Sequence, residues 1–402
     1  MDINNAFLHG DLKEEVYMEL PPGYADSTGR VCRLKKSLYG LRQASRQWYS
    51  KLSTALITFG FKQSVADYSL FVYSHKGIYL ALLVYVDDLI LASNNKSHCD
   101  KFKRYLDGCF SIKDLGPLKY FLGIEVSKGP NGLFLSQRKY ALDILTETGM
   151  LGSKPMNFPM ESRLKLDNKS GDILSDPSQY RCLVGRLIYL TITRPDLSYS
   201  VHILSQFMQE PRKQHWDAAM RVLRYLKLCP GQGIILNKSS QLNLVGYCDS
   251  DWASCPMTRR SLSGYFVQLG GSPVSWKTKK QNVVSRSSAE AEYRSMANVT
   301  CELIWLRSLL HSLHVEHLQP MEIYCDNQAA LKIAANPVQH EKTKHVEIDC
   351  HYIRERQQAG DILTKYISTH SQLADIFTKP LGYKPFHSLL NKLGIANLHA
   401  PT

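Results

Sequence analysis

Two groups of acidic residues stand where carboxylates are hardest to keep. The first lies in Leu80–Ser93, "LALLVYVDDLILAS", where Asp87 and Asp88 separate two aliphatic runs, and a third acid, Asp2, stands in the opening "MDINNAFLHGDLKEEVYM". Apolar residues on both sides predict two buried strands joined tightly, with the carboxylates projecting at the turn. Adjacent carboxylates raise each other's pKa and burial adds to the cost, unless a cation compensates. Hard oxygen ligands favour Mg²⁺ or Mn²⁺, and two such ions about 3.5–4 Å apart can stabilise the attacking and leaving oxygens of a phosphoryl transfer. A solvated Asp-Asp turn is the plain alternative.

The second group is spread over the last 160 or so residues. "LNLVGYCDSDWA" puts Asp249 at the end of an apolar strand, with Asp251 a rival that alternation cannot separate from it. "SSAEAEYRSMANVTCELIWLRSLL" puts Glu290 near the start of a long helix whose Tyr293, Ala297 and Ile304 can face a core. "MEIYCDNQAALKIA" reads strand, Asp326, helix, and "STHSQLADIFTKPLG" places Asp375 on a terminal helix. Ligands gather at strand ends in open α/β sheets, and four carboxylates meeting there need a divalent ion. Singly, Glu290 and Asp375 also read as helix-start acids that complement the dipole. His340, His345, Cys350 and His351 fit no closed tetrahedral zinc pattern and read as surface or core residues.

Positioning these groups requires several elements. Residues 65–127 mix β-rich runs with a helix in an α+β pattern. "SKPMNFPMESRLKLDNKSGDILSDP" is polar and aperiodic, and Tyr180–Leu228 then carries apolar residues at helical spacing, broken by "TRPD". After a second linker, "CPGQGIILNKSSQ", the order is that of a separate α/β domain. The expected divisions are 1–154, 155–240, 241–382 and a tail, 383–402. The 402 residues, 44% hydrophobic and 21% charged, suit a folded multidomain chain, and 49 Lys+Arg against 36 Asp+Glu favour a polyanionic partner. Ten cysteines without C-x-x-C spacing, no signal-peptide pattern and no apolar run near the roughly 18 residues of a bilayer span predict a soluble intracellular chain without a membrane partner.

Taken in order, "YVDD", "VCRLKKSLYGLRQASRQWY", "DLGPLKYFLGIEV" and the later acidic blocks resemble the Pol polyprotein of copia-type LTR retrotransposons, in its reverse transcriptase and the ribonuclease H domain that follows. The resemblance runs over almost the whole chain. It implies an α+β palm with a helical thumb, followed by an α/β ribonuclease H-like domain with a mixed five-stranded sheet. Asp2, Asp87 and Asp88 would be the palm's metal-binding triad, Phe7 the aromatic residue against the incoming sugar, and Gln43 part of the template and nucleotide pocket. Lys119 would be a basic residue near the triphosphate. Arg42 and Arg46, at helical spacing, suit phosphate contacts. A core aromatic, a helix-surface amide and a solvated basic face are the ordinary readings of these residues. In the second domain Asp249, Glu290, Asp326 and Asp375 would be the ligands, "GYFVQLGGSPVSWKTKKQ" its hairpin, "QHEKTKHVEIDCHYIRE" the segment before its last strand, and His370 a proton shuttle or a plain loop residue. Arg181, Arg186, Arg212, Lys213, Arg221 and Arg224 of the thumb would touch phosphates or solvent. The implied cofactors are two Mg²⁺ or Mn²⁺ ions per site; the implied partners are RNA template, DNA primer, RNA–DNA hybrid and dNTPs. Oligomeric state stays open. Ser45 replaces the family's usual proline, and Asp2 has almost no sequence ahead of it, so the resemblance implies N-terminally truncated fingers, impaired DNA synthesis and a complete nuclease half. A catalytically inactive remnant that at most binds nucleic acid is the alternative.

Overall fold

The computed structural model describes residues 1–24, 29–238, 241–335 and 347–397. His340, His345 and the first part of the "QHEKTKHVEIDCHYIRE" segment lie outside them. The chain forms two compact units, one of residues 1–118 with 308–316 and one of 119–307 with 317 onward.

The first unit runs β1 (Asp2–Ile3), β2 (Tyr17–Met18), β3 (Cys32–Arg33), α1 (Ala44–Phe59), β4 (Lys62–Gln63), β5 (Leu70–His75), β6 (Ile78–Tyr85), β7 (Asp88–Ser93), α2 (Lys96–Phe110) and β8 (Ile112–Lys113). Its six-stranded antiparallel sheet has the order β4-β5-β6-β7-β1-β8. Period-2 alternation buries Leu80, Leu82 and Val84 of β6 on one face. Trp48, Leu52 and Leu56, one helical turn apart, turn α1 onto the same core, as Phe102, Leu106 and Phe110 turn α2. Helix α1 stops at Gly60, whose φ of 115° lets its N–H reach back to the Leu56 and Ile57 carbonyls.

The second unit continues with β9 (Tyr120–Phe121), β10 (Ile124–Gly129), β11 (Gly132–Ser136), α3 (Arg138–Glu147), α4 (Pro177–Leu190), α5 (Ser198–Ser205), α6 (Lys213–Leu228) and β12 (Gln232–Asn237). Then follow β13 (Leu244–Asp251), β14 (Leu262–Leu269), β15 (Ser272–Lys280), α7 (Ser288–Ser312), β16 (Met321–Cys325), α8 (Gln328–Ala335), α9 (Glu347–Gln358), β17 (Ile362–Tyr366), α10 (Tyr383–Lys392) and β18 (Ile395–Asn397). One five-stranded sheet, β18-β12-β11-β10-β9, is antiparallel. The other, β15-β14-β13-β16-β17, is mixed: β13, β16 and β17 run parallel and β14 and β15 complete an antiparallel hairpin.

Two features depart from the sequence reading. The helices of the expected thumb and the mixed sheet share one core, in which Leu187, Leu204 and Leu226 belong to the same cluster as Phe266, Ile376 and Phe377. The expected tail is structured as well: Phe386, Leu389 and Leu390 bury one face of α10, and β18 pairs with β12. Sequence periodicity can show the apolar face of α10 but not the pairing of β18 with a strand more than 150 residues upstream.

"TRPD" does more than interrupt a helix. The Arg194 guanidinium, itself buried, donates to the Asp196 carboxylate at 2.8 Å and to the Cys229 carbonyl at 2.9 Å, while Tyr225 and Gln232 donate to Asp196 at 2.7 and 3.0 Å. The pair thus ties the α4–α5 corner to α6 and β12. Truncating one member would leave the other charge buried and alone, so Asp196→Ala is expected to cost about 3–5 kcal/mol, read as a lower urea midpoint of the second unit. A joint Arg194→Met/Asp196→Leu exchange should recover most of that loss.

Among the described residues the buried Nε2 of His202, on α5, has no hydrogen-bond partner, and burial followed by the nearby Lys280 charge pulls its pKa from 6.5 to about 4. A histidine kept neutral in the fold titrates first in the unfolded chain. Stability is therefore present above pH 6.5, lost as the pH falls toward 4, and level below that. The expected loss is on the order of 3 kcal/mol; chemical denaturation across that range should find it in the native chain and not in His202→Leu.

Candidate functional site

The mixed sheet carries its acids where two parallel strands end. Asp249 is the sixth residue of β13 and fully buried, and Asp326 follows β16 directly. Asp375 lies in a short 3₁₀ turn, Leu373–Phe377, instead of the expected terminal α-helix. That turn can approach β14 because residue 264 is glycine: a Cβ there would stand 2.8 Å from Phe377 Cβ and 2.7 Å from Thr378 Cγ2. Gly246 does the same for α7, since its Cβ would meet Val299 Cγ2 at 2.9 Å.

Ligand atoms of Asp249, Asp326 and Asp375 all lie within 4.8 Å of one another, and so do those of Glu292, Cys325 and Asp326. Of the two glutamates at the start of α7, the structure brings Glu292, and not the expected Glu290, into these groups. In "SSAE", Ser287 accepts the Glu290 N–H at 3.2 Å, and the Glu290 carboxylate accepts the Arg286 N–H at 2.8 Å and pairs with Arg294 at 3.0 Å. Glu290 is thus engaged at the helix start, the ordinary role of an acid there. Glu292 sits at i−4, i−7 and i−11 from Met296, Val299 and Leu303, all buried, so it continues the apolar stripe that faces the sheet. That interruption of an apolar stripe by an acid was the available sequence signal. Between Asp249 and Asp251, the geometry puts Asp249 in the group.

The electrostatics follow from crowding. Burial, then Asp249, Cys325 and Asp326, push the Glu292 carboxyl up to about 11. Burial and Asp249 push Asp375 up to about 7, against the opposing Lys379. Lys379 Nζ bridges Asp249 at 3.1 Å and Asp375 at 2.8 Å, and both carboxylates hold its own pKa up against burial. Thr378 Oγ1 donates to Asp249, and Thr369 Oγ1 to Asp326 at 2.8 Å. One lysine offsets a single negative charge among the four acids. Three carboxylates sharing Asp326 with a fourth make an oxygen donor set that fits a hard divalent cation, with the Cys325 thiol as a softer neighbour. His370, adjacent to Thr369, is exposed.

In the first unit Asp2 of β1 stands directly opposite Asp88 of β7 on one side and Lys113 of β8 on the other, so these three residues share one face. Asp87 occupies the β6–β7 turn after Val86, a β-branched residue held at φ 55°. The Trp48 indole N–H fixes the Val86 carbonyl at 2.8 Å, and the Ile3 N–H fixes that of Asp87 at 2.9 Å. Burial, then Asp87 and Asp2, raise the Asp88 pKa. Asp2 and Asp88 are thus neighbours on adjacent strands, with Asp87 next to them in the turn. Phe7 is half-buried, its ring 4.8 Å from that of Tyr39; Gln43 precedes α1, with Arg42 and Arg46 exposed around it. Lys119 is exposed and belongs to the second unit. Of the helical cations, Arg181 binds the Met208 and Gln209 carbonyls, and Arg186, Arg212, Lys213 and Arg221 pair with Glu147, Glu210, Asp217 and Glu161. Arg224 is exposed.

Residues 1–162 match the family model of a reverse transcriptase (RNA-dependent DNA polymerase). The chain is 48% identical, over 98% of its length, to the retrovirus-related Pol polyprotein from transposon RE2 of Arabidopsis thaliana, and 33% identical, over 75% of its length, to the whole of a protein named for transposon Ty5-1 in Saccharomyces cerevisiae. The chain belongs to the copia-type retrotransposon Pol family. It spans 27% of the Arabidopsis Pol polyprotein. The fold of this Pol segment is similar to a foamy viral protease-reverse transcriptase solved in complex with double-stranded DNA, with a TM-score of 0.51 at 12% identity over 92% of the present chain and 60% of the viral one. Among the described residues of the Pol segment all ten cysteines are free thiols, and no helix is long and apolar enough to cross a membrane.

Proposed function

We propose that this Pol segment carries two phosphoryl-transfer sites: RNA-directed DNA synthesis at Asp2, Asp87 and Asp88, and cleavage of the RNA strand of RNA–DNA hybrids at Asp249, Glu292, Asp326 and Asp375. The reading rests above all on the convergence of four acids from four separate elements on one edge of the mixed sheet. An arrangement so costly in isolation is consistent with a site that holds cations. Asp249, Asp326 and Asp375 would hold one Mg²⁺ or Mn²⁺, with Asp326 shared toward Glu292 for a second. Bound ions would supply the Lewis acidity that makes water or a primer 3′-hydroxyl nucleophilic and offsets charge on the phosphoryl oxygens.

The chain's own groups have separable tasks. Thr378 and Thr369 orient the Asp249 and Asp326 carboxylates through donated hydrogen bonds. Lys379 keeps Asp249 and Asp375 together against their repulsion. In the first unit Lys113 can offset Asp2 across the strand pair. Phe7, Gln43, Arg42 and Arg46 are proposed to line the nucleotide and template side, and Lys119 to contact phosphate. Substrates follow as RNA template, DNA primer, dNTPs and RNA–DNA hybrid, matching the +13 balance.

The deciding test is cleavage of a labelled RNA–DNA hybrid in Mg²⁺ and in Mn²⁺. Asp326→Asn and Glu292→Gln are expected to lower the rate at least a hundredfold, while Glu290→Gln stays within about threefold. Equal loss in both glutamate variants would remove the assignment of Glu292. Absence of cleavage by the native chain, with hybrid binding intact, would leave a nucleic-acid-binding remnant as the correct reading. For the first unit, primer extension on an RNA template should be lost at least a hundredfold in Asp88→Asn; extension at the native rate would dismiss that site.

A further inference from the structure

Within the second unit a cavity of about 260 Å³ opens between the loop that follows β13, helix α5 and the segment 160–166. Its wall carries five cationic side chains, Arg163, Lys165, Arg259, Arg260 and Lys280, against the single carboxylate of Asp251. Lys280 is spent internally, on Gln206 Oε1 at 2.7 Å and Cys255 Sγ at 3.8 Å. Among the described residues the other four cations make no ion pair. Most cations of the adjacent helices are matched by carboxylates, so this concentration of unmatched positive charge is a local property of the cavity.

The loop is built to present it. Cys255 is buried; its N–H donates to the Arg260 carbonyl at 3.2 Å, and its own carbonyl accepts the Arg259 N–H at 2.8 Å. Arg259 is held at φ 54°, a conformation a non-glycine residue adopts at a cost. The same lining also carries apolar and aromatic side chains, Leu164, Ile203, Phe207, Met257, Leu262 and the Tyr199 ring. A simple phosphate site needs no such side chains. Unmatched cations beside apolar and aromatic side chains in one cavity suit a molecule that joins an anion to a flat ring.

We propose that this cavity is a nucleotide-binding subsite, seating one nucleotide unit of the bound hybrid with its phosphodiester at Arg259 and Arg260 and its nucleoside against the apolar and aromatic side chains of the lining. The location fits. Asp251 on the cavity wall is two residues from Asp249 along β13, about 7 Å, a distance comparable to the step between successive phosphates of a strand. Pro380 on the wall adjoins Lys379, which bridges Asp249 and Asp375. The subsite would thus hold a nucleotide close to the bond presented to the four acids, and none of its cations belongs to that acid group. The inference rests on the nucleic-acid reading above, and binding without turnover separates the two.

The test uses the whole chain and a fluorescein-labelled RNA–DNA hybrid in EDTA, read by anisotropy across a salt series. Arg259→Gln/Arg260→Gln is expected to weaken binding at least tenfold at 0.1 M salt and to lower the slope of log K against log salt by about 1–2, since each phosphate contact contributes roughly 0.9. Met257→Ser should weaken binding about threefold with the slope unchanged. Photocrosslinking of native chain to a 4-thiouridine-substituted hybrid is expected to label peptides from 199–207 or 251–262, and nucleoside 5′-monophosphate is expected to compete better than orthophosphate. Unaltered affinity and slope in the arginine variant of a chain that binds and cleaves hybrid would overturn the subsite alone. Crosslinks confined to other peptides, or orthophosphate competing as well as the nucleotide, would overturn it too. Failure of the native chain to bind hybrid at all would overturn both readings.

Discussion

Carboxylates that repel one another, held together away from water, are the constraint around which the second unit is arranged. Asp249, Glu292, Asp326 and Asp375 come from a strand, a helix, a strand end and a 3₁₀ turn, and nothing in their mutual electrostatics favours the meeting. The apolar packing beneath them must supply the difference, with Lys379 as a partial counterweight. This explains the two tight glycines. Gly246 and Gly264 let α7 and the Asp375 turn approach the sheet to distances no Cβ would permit, and any looser packing would move an acid out of the group.

The first unit meets a similar demand differently. Its acids are placed by strand register and not by helix packing: Asp2 opposite Asp88, with the Asp87 turn pinned by the Trp48 indole and the Ile3 N–H. A register fixed by period-2 burial in β6 is hard to slip, because one residue of shift would turn Leu80, Leu82 and Val84 to solvent. Position is therefore secured by the same hydrophobic alternation that made the segment conspicuous.

Much of this was legible in the chain. Strand alternation around "YVDD", the strand-Asp-helix order of "MEIYCDNQAALKIA" and the helical spacing of Tyr180–Leu228 all report local periodicity, which sequence carries directly. What escaped was relational. Glu290 and Glu292 are two positions apart in one helix, and only the direction of the sheet relative to α7 distinguishes the acid engaged at the helix start from the one turned inward. The hub at Arg194 and Asp196 was hidden for the same reason: its partners, Tyr225, Cys229 and Gln232, lie 29 to 36 residues from Asp196 or Arg194 in the chain. The Asp375 turn read as a helix because a 3₁₀ segment shares the helix's polar-apolar rhythm over so short a span.

The continuous core of the second unit bears on how it can be taken apart. Severing the chain in the polar stretch near residue 240 would look harmless on paper, yet it would strip Phe266, Ile376 and Phe377 of the leucines of α4, α5 and α6 and leave β18 without β12. The mixed sheet is thus less a detachable module than one wall of a shared building, and a minimal fragment that keeps its shape has to begin before α3, well upstream of the first strand of that sheet.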